Sequence, residues 1–179
     1  MIENGNVLDG LGAAPVEADV FIRDGEIVLI DGLDAVIMNN QVEFGERIDA
    51  AGRMVAPEFI DVHSHGDPLA TPAFENFLAQ GVTTITLGQD GSSPATESLS
   101  QWMNEVEAQG IGVNLAMFVG HGTIRELSGI GRDPVPTSEQ MQRMLELLER
   151  NLQVSFGMST GLEYNPGLNA APPATIEWE

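Results

Sequence analysis

Val55-Ala56-Pro57-Glu58-Phe59-Ile60-Asp61-Val62-His63-Ser64-His65-Gly66-Asp67 is the stretch on which the reading of this chain turns. Apolar residues run up to Val62 and polar ones follow, the pattern of a buried strand whose C-terminal end opens into a site carrying His63, His65 and Asp67. Side chains at i and i+2 of a strand share a face. Both imidazoles can therefore reach one cation, and zinc is the usual choice, with Zn–N near about 2.0–2.1 Å. A His-x-His pair also arises by chance on a surface. Its position at the end of an apolar strand, between Asp61 and Asp67, favours a metal.

The chain around it has 179 residues, 42% of them hydrophobic. That is enough for one domain, or for one small and one partial domain. With no run of eighteen apolar residues and no basic-then-apolar leader, the expectation is a soluble, cytoplasmic protein. Absence of cysteine excludes disulfides, thiolate metal sites and cysteine nucleophiles. The charge is unusual: 27 acidic residues face 7 basic ones, all arginine, for a net charge of −20. Nucleic acid and anionic membrane are excluded as expected partners, because phosphate binding needs cationic side chains. Without lysine there is also no P-loop, no Schiff base and no carboxylated-lysine metal bridge in this sequence. Such an acidic surface suits a protein that stays soluble in high salt, where self-repulsion is screened.

Residues 1–54 read as all-β. Asn4-Gly5, Asp9-Gly10, Asp24-Gly25 and Asp31-Gly32 are turn dipeptides, and Val20–Arg23 with Glu26–Ile30 makes a hairpin. Short strands with frequent glycine turns suggest a small sandwich, and 48–53 forms a turn-rich lead into the opening stretch. From about residue 55 strands alternate with helices. Thr71-Pro72 opens a helix with Phe74, Phe77 and Leu78 on one face and Gly81 at its end. Val82–Leu87 is the next strand, Ser93-Pro94 starts a second helix that stops at Gly110, and Val113–Val119 is a third strand. Thr137-Ser138-Glu139-Gln140 is a capping box that opens a helix with Met141, Met144, Leu145 and Leu148 inward, and Leu152–Phe156 is a fourth strand. Four strands and three helices imply right-handed βαβ units and a parallel sheet. A closed four-stranded doubly wound sheet and half of a TIM barrel both fit.

Polar residues cluster just after each strand: His63, Ser64, His65 and Asp67; Gln89, Asp90, Ser92 and Ser93; His121, Thr123 and Arg125; Ser159, Thr160, Glu163 and Tyr164. In α/β folds ligands sit at these strand ends. Asp90 is the candidate third ligand, since a carboxylate on the neighbouring strand can reach a cation held by His63 and His65; it also reads as a loop acid near the Ser93 cap. His121 is either a ligand, a donor to substrate or a loop histidine that holds backbone. Glu163 could bridge two metals. Neither Gly-His-Gly nor Gly129-Ile130-Gly131 completes the dinucleotide fingerprint, so nicotinamide binding is not supported.

These residues resemble the amidohydrolase superfamily, and within it the N-acyl-D-amino-acid deacylase (D-aminoacylase) group. The likeness rests on Asn4–Gly10, on 18–27, on Ile48-Asp49-Ala50 and on Phe59-Ile60-Asp61-Val62-His63-Ser64-His65. Gly81-Val82-Thr83-Thr84, Val119–Arg125 and Ser159–Gly167 extend it along the chain. The resemblance implies an α/β fold: a partial (β/α)8 TIM-type barrel (its first four or so strands, 55–179) preceded by a β-sandwich segment (1–54). It implies a hydrolase of non-peptide carbon–nitrogen bonds that deacylates N-acyl-D-amino acids with one or two Zn2+ ions. His63 and His65 match the metal pair of the first strand. Asp90 falls where the deacylases often have a cysteine, in Gly88-Gln89-Asp90-Gly91. His121 and Tyr164 would lie near an N-acyl amino acid substrate, and an oligomer is possible. Glu58 stands where the family has glycine, a cost of about 1 kcal/mol if that position needs positive φ. The general-base aspartate and further histidine ligands are expected beyond Glu179, which makes the chain the N-terminal third of an enzyme with little activity of its own. Cyclic-amide hydrolases of the hydantoinase or dihydroorotase kind are the nearest alternative, disfavoured by the missing lysine; a non-catalytic fragment of the scaffold is another.

Overall fold

A computed structural model describes residues 1–31 and 45–161, and the chain divides into two compact units, Met1–Pro57 and Glu58–Glu179. The fold is mixed α/β with several sheets.

The first unit holds β1 (Ile2–Val7), β2 (Val16–Arg23), β3 (Glu26–Asp31), β4 (Ile48–Asp49) and β5 (Met54–Val55). They form one five-stranded sheet in which β1, β2 and β3 run antiparallel in turn, while β4 and β5 both pair parallel with β1. Asp24 (φ 53°) and Gly25 (φ 82°) make the expected hairpin turn, since a two-residue connection of this hand needs positive φ at both positions. Asn4-Gly5 is not the turn expected of it. Asn4 (φ 56°) lies inside β1, where the register with β2 shifts between Ile2 and Gly5, so the dipeptide forms a bulge. The N–H of Asn4 that the bulge frees donates to the Asp19 carboxylate at 2.8 Å. The expected turn at Asp31-Gly32 runs beyond the described residues.

In the second unit, β6 (Phe59–Asp61), β7 (Val82–Leu87) and β8 (Asn114–Met117) form a parallel sheet in the order β6-β7-β8. A separate parallel pair joins β9 (Val119–Gly120) to β10 (Met158–Ser159). The helices are α1 (Glu75–Leu78), α2 (Leu99–Gln109), α3 (His121–Leu127) and α4 (Ser138–Leu152). Ile85, Leu87 and Met117 of the strands pack with Leu99 of α2, Ile124 of α3, and Met144 and Leu148 of α4 in one core.

The Thr137 capping box forms as expected, its hydroxyl accepting from the Gln140 N–H while the Gln140 side chain accepts from the Thr137 N–H. Gly110 (φ 85°) ends α2 as expected. Two helix starts differ. The Thr71 hydroxyl donates back to the Asp67 carbonyl at 3.0 Å, and Phe74 turns left-handed (φ 47°) to bury its ring, so α1 begins only at Glu75. Ser93 is bound on both backbone sides by the Thr123 hydroxyl, at 2.9 and 3.1 Å, and α2 starts after Ser98, whose hydroxyl accepts from the Gln101 N–H. The third strand splits at Phe118: its N–H still bonds Leu87, but the Val119 N–H bonds Gly157, which sends β9 to β10. The fourth strand is displaced from 152–156 to Met158–Ser159, because Leu148 and Leu152 continue the apolar stripe of α4.

The largest departure concerns β6, which reads as buried. Phe59, Ile60 and Val62 are 60%, 63% and 70% exposed, because among the described residues β6 is an edge strand with a neighbour on one side only. Glu58 is not among the described residues with positive φ, so its replacement of glycine carries no backbone strain.

Candidate metal centre

His63 and His65 lie in the bend and loop just past the C-terminal end of β6. Between them Ser64 is buried, its N–H donating to the Thr86 carbonyl of β7 at 3.1 Å. Both imidazoles nonetheless face one side, toward Asp90. The Asp61 carboxylate accepts from the His63 N–H at 3.0 Å and steadies the bend. Asp67 does not join the histidines: its carboxylate accepts from the N–H groups of Leu69 and Ala70 at 3.0 and 3.2 Å, closing the next turn.

Asp90 arrives from the end of β7 on the turn Gly88-Gln89-Asp90-Gly91, in which Gly88 (φ 85°), Asp90 (φ 57°) and Gly91 (φ 77°) are left-handed. Gly88 is required there on two counts, since a Cβ would also stand 2.1 Å from the Phe118 carbonyl oxygen. Aspartate is one of the few non-glycine residues that adopts this conformation readily. One carboxylate oxygen, Asp90 Oδ2, lies 3.2 Å from His63 Nε2 and 3.1 Å from His65 Nε2. All three potential ligand atoms fall within 4.8 Å of one another, and the two rings stand edge to face with centroids 5.4 Å apart.

This spacing suits a metal. Two ligands of a tetrahedral ion at about 2.05 Å are separated by roughly 3.3 Å, close to both histidine–carboxylate distances. Two imidazoles and a carboxylate also match the three-protein-ligand sets that leave a fourth position open to water. The histidines are more than half exposed and Asp90 about a quarter, so an ion can enter. One cavity of about 420 Å³ opens beside the cluster, lined by His65, Gln89, Asp90, Gly122, Thr123 and Glu126 among others. A second, of about 430 Å³, lies on the other side of His65 between Asp67, Leu69, Pro94 and Trp102.

The other sequence-based candidates separate. His121 is buried as the first residue of α3 and lines neither cavity. Arg125, one of the polar residues that follow the third strand, is fully buried and donates to the Gly131 and Asp133 carbonyls at 2.9 and 2.8 Å. Desolvation lowers its pKa, which the nearby Asp133 and Glu126 charges partly oppose. It ties a loop rather than facing a ligand. Glu163 and Tyr164 lie outside the described residues. Strand-end position alone gave Gln89 and Ser159 no particular role. In the fold, Gln89 Nε2 donates to the Val62 carbonyl and to Thr86 Oγ1, both at 2.9 Å, and Ser159 bonds the Asp90 turn at both ends.

No family model matches the chain. An N-acyl-D-glutamate deacylase of Alcaligenes xylosoxydans xylosoxydans is 34% identical over 192 residues, covering 93% of this chain and 38% of that protein. The crystal structure of N-acyl-D-glutamate deacylase from Bordetella bronchiseptica, complexed with zinc and a phosphonate inhibitor, superposes with a TM-score of 0.79 at 31% identity over 94% of this chain and 39% of its own. A D-aminoacylase structure, described as defining a novel subset of amidohydrolases, gives a TM-score of 0.82 at 28% identity over 97% of this chain and 40% of its own. The chain thus spans about two fifths of the length of these relatives. Likeness in sequence and in three dimensions over more than nine tenths of its residues, together with a His-x-His pair facing a carboxylate from the next strand, shows that the chain belongs to the D-aminoacylase group of the amidohydrolases.

Proposed function

We propose that this chain carries part of the metal site of a zinc-dependent hydrolase that deacylates N-acyl-D-amino acids, with His63, His65 and Asp90 as ligands. The observation that carries the reading is the convergence of both Nε2 atoms on the single oxygen Asp90 Oδ2, at 3.2 and 3.1 Å. A divalent ion held there supplies Lewis acidity toward an amide carbonyl and activates water for attack. The chain's own groups do the rest. The imidazoles and the carboxylate would orient the ion, and the Ser64 N–H bond to Thr86 ties the segment between the two histidines to β7. The cavity beside His65 and Asp90 offers room for a small substrate. Zinc-bound and deacylase relatives support the substrate class. The barrel architecture of 55–179, the sandwich of 1–54 and a substrate contact by Tyr164 belong to the same proposal, whereas His121, buried and lining neither cavity, is not proposed to touch substrate.

The test is metal binding followed by turnover. One Zn2+ per chain is expected to bind in competition with a chromophoric chelator, and His63→Ala or His65→Ala is expected to weaken it at least ~100-fold, a loss of about 2.7 kcal/mol or more. In the zinc-loaded protein that carries this chain, N-acetyl-D-amino acids are expected to be hydrolysed in preference to their L-enantiomers, a hydantoin and dihydroorotate. No metal uptake by the native chain sinks the site. Uptake with turnover confined to the cyclic amides would replace the substrate class and keep the site.

A further inference from the structure

Asp90 sits on a turn whose shape has a local cause: Asp90-Gly91 is a left-handed Asp-Gly pair, and the Ser92 N–H donates to the Gln89 carbonyl at 2.9 Å. Three of its four residues are left-handed, and two of these are glycines, the residues that lose most conformational freedom on ordering. Where the turn stands against the histidine segment is set from elsewhere in the fold, in part by the Thr123 N–H, which donates to the Gly91 carbonyl at 3.3 Å. The Ser159 hydroxyl, at the end of β10, donates to the Gly88 carbonyl and accepts from the Gly91 N–H at 3.1 Å. One side chain thus closes both ends of the turn, which a hydroxyl can do because it is donor and acceptor at once. β9 presses from beside it: Gly120, paired with Ser159, has no Cβ, and one built there would lie 2.6 Å from the Gly91 carbonyl oxygen. On the other flank, Gln89 Nε2 donates to the carbonyl of Val62, the residue before His63, and to Thr86 of β7, both at 2.9 Å. The turn is therefore held by β10 on one side and fastened to the histidine segment on the other.

We propose that Ser159 is a positioning residue for the metal site, fixing the Asp90 turn from β10, and that Gln89 couples that turn to the segment bearing His63 and His65. The inference rests on the metal reading above. A ligand turn free to shift against the histidine segment must be placed again at each binding event, so loss of the hydroxyl that ties it to β10 weakens binding without removing a ligand atom. Substitution of residues that orient metal ligands typically lowers affinity by about 10–100-fold.

Co2+ binding to the full chain, followed by its visible d–d absorption and by competition with a chelator, tests this. Ser159→Ala is expected to bind Co2+ at least tenfold more weakly than the native chain, with altered band shape. Ser159→Thr, which keeps a hydroxyl, is expected to stay within about threefold. Gln89→Leu, of similar bulk and without the donor, is the second variant, expected to lose several-fold. Asn151→Ala is the stability control: Asn151 Oδ1 accepts from the buried Leu99 N–H at 2.7 Å and bonds neither the turn nor the histidine segment, so this variant should melt earlier yet bind Co2+ normally. A native chain that takes up no Co2+ overturns the metal reading and this inference together. A native chain that binds, with Ser159→Ala and Gln89→Leu binding equally well, overturns the positioning role alone. So does a Ser159→Thr chain as weak as Ser159→Ala, or an Asn151→Ala chain that loses as much affinity.

Discussion

Asp90 meets two demands that few side chains meet together: it must hold φ near 57° and present an anionic oxygen to two imidazoles. Asparagine meets the first and fails the second, while cysteine does the reverse at a cost of about 1 kcal/mol in backbone energy. Asp90→Asn is therefore expected to melt, in the presence of chelator, within about 0.5 kcal/mol of the native chain. Its zinc affinity should nonetheless fall at least ~tenfold, a difference of about 1.4 kcal/mol. Asp90→Cys is expected to melt earlier, to keep metal, and to shift its preference toward softer ions such as Cd2+. Equal zinc affinities for Asp90→Asn and the native chain, measured by chelator competition, would remove the carboxylate from the ligand set. The residue itself was legible in the sequence, because its place after a β-branched strand puts it beside the histidines whatever the finer fold. Ser159 was not. Its part depends on a contact across 68–71 residues that nothing in local sequence announces.

Among the elements, α4 was legible because its signals are local in sequence: a capping box satisfied within the first turn, and an apolar stripe at helical spacing that packs into the core. The starts of α1 and α2 were misplaced because the same kind of signal was satisfied elsewhere, Thr71 by the Asp67 carbonyl and Ser93 by Thr123. A capping residue predicts a helix start only while no other partner claims its hydroxyl, as Asp67 claims that of Thr71, or its backbone, as Thr123 claims that of Ser93. The burial of β6 was misjudged because an apolar run implies two neighbours, and the described residues supply one. Between α2 and α4 lies one interaction with a definite pH signature. Glu97, just before α2, accepts a hydrogen bond from Arg143 of α4, with Arg150 one further turn pair along. The hydrogen bond from Arg143 is the main reason the Glu97 carboxyl is held below its usual range, and Arg143 is raised in return. A carboxyl with a lowered folded-state pKa contributes stability above its unfolded value of about 4.3 and loses that contribution as pH falls through the folded value. The difference in melting midpoint between the native chain and Glu97→Gln is thus expected to be level from pH 8 to about 5 and to shrink below about 4. It should be small throughout, as exposed pairs are. A difference that does not change with acid would mean that the pair adds nothing.

On the scale of the whole chain, charge decides more than any single contact. With 27 acidic and 7 basic residues the net charge is −20, and at most seven acidic groups can be offset one to one by the cations present. Two of those cations already converge on Glu97, and a third, Arg125, is buried against carbonyls. Salt therefore screens far more repulsion than attraction. The screening length falls from about 10 Å at 0.1 M to about 3 Å at 1 M, so most of the gain comes at the low end of that range. The melting midpoint of the chain is expected to rise by several degrees between 0.05 and 0.5 M NaCl and then to level off. Exclusion of salt from apolar surface would instead raise the midpoint steadily with concentration, and more with sulfate than with chloride. An early rise that is the same in NaCl and KCl identifies screening. A flat curve up to 0.5 M would mean that the carboxylates stand far enough apart in water to ignore one another, and the acidic composition would then need a reason other than tolerance of salt.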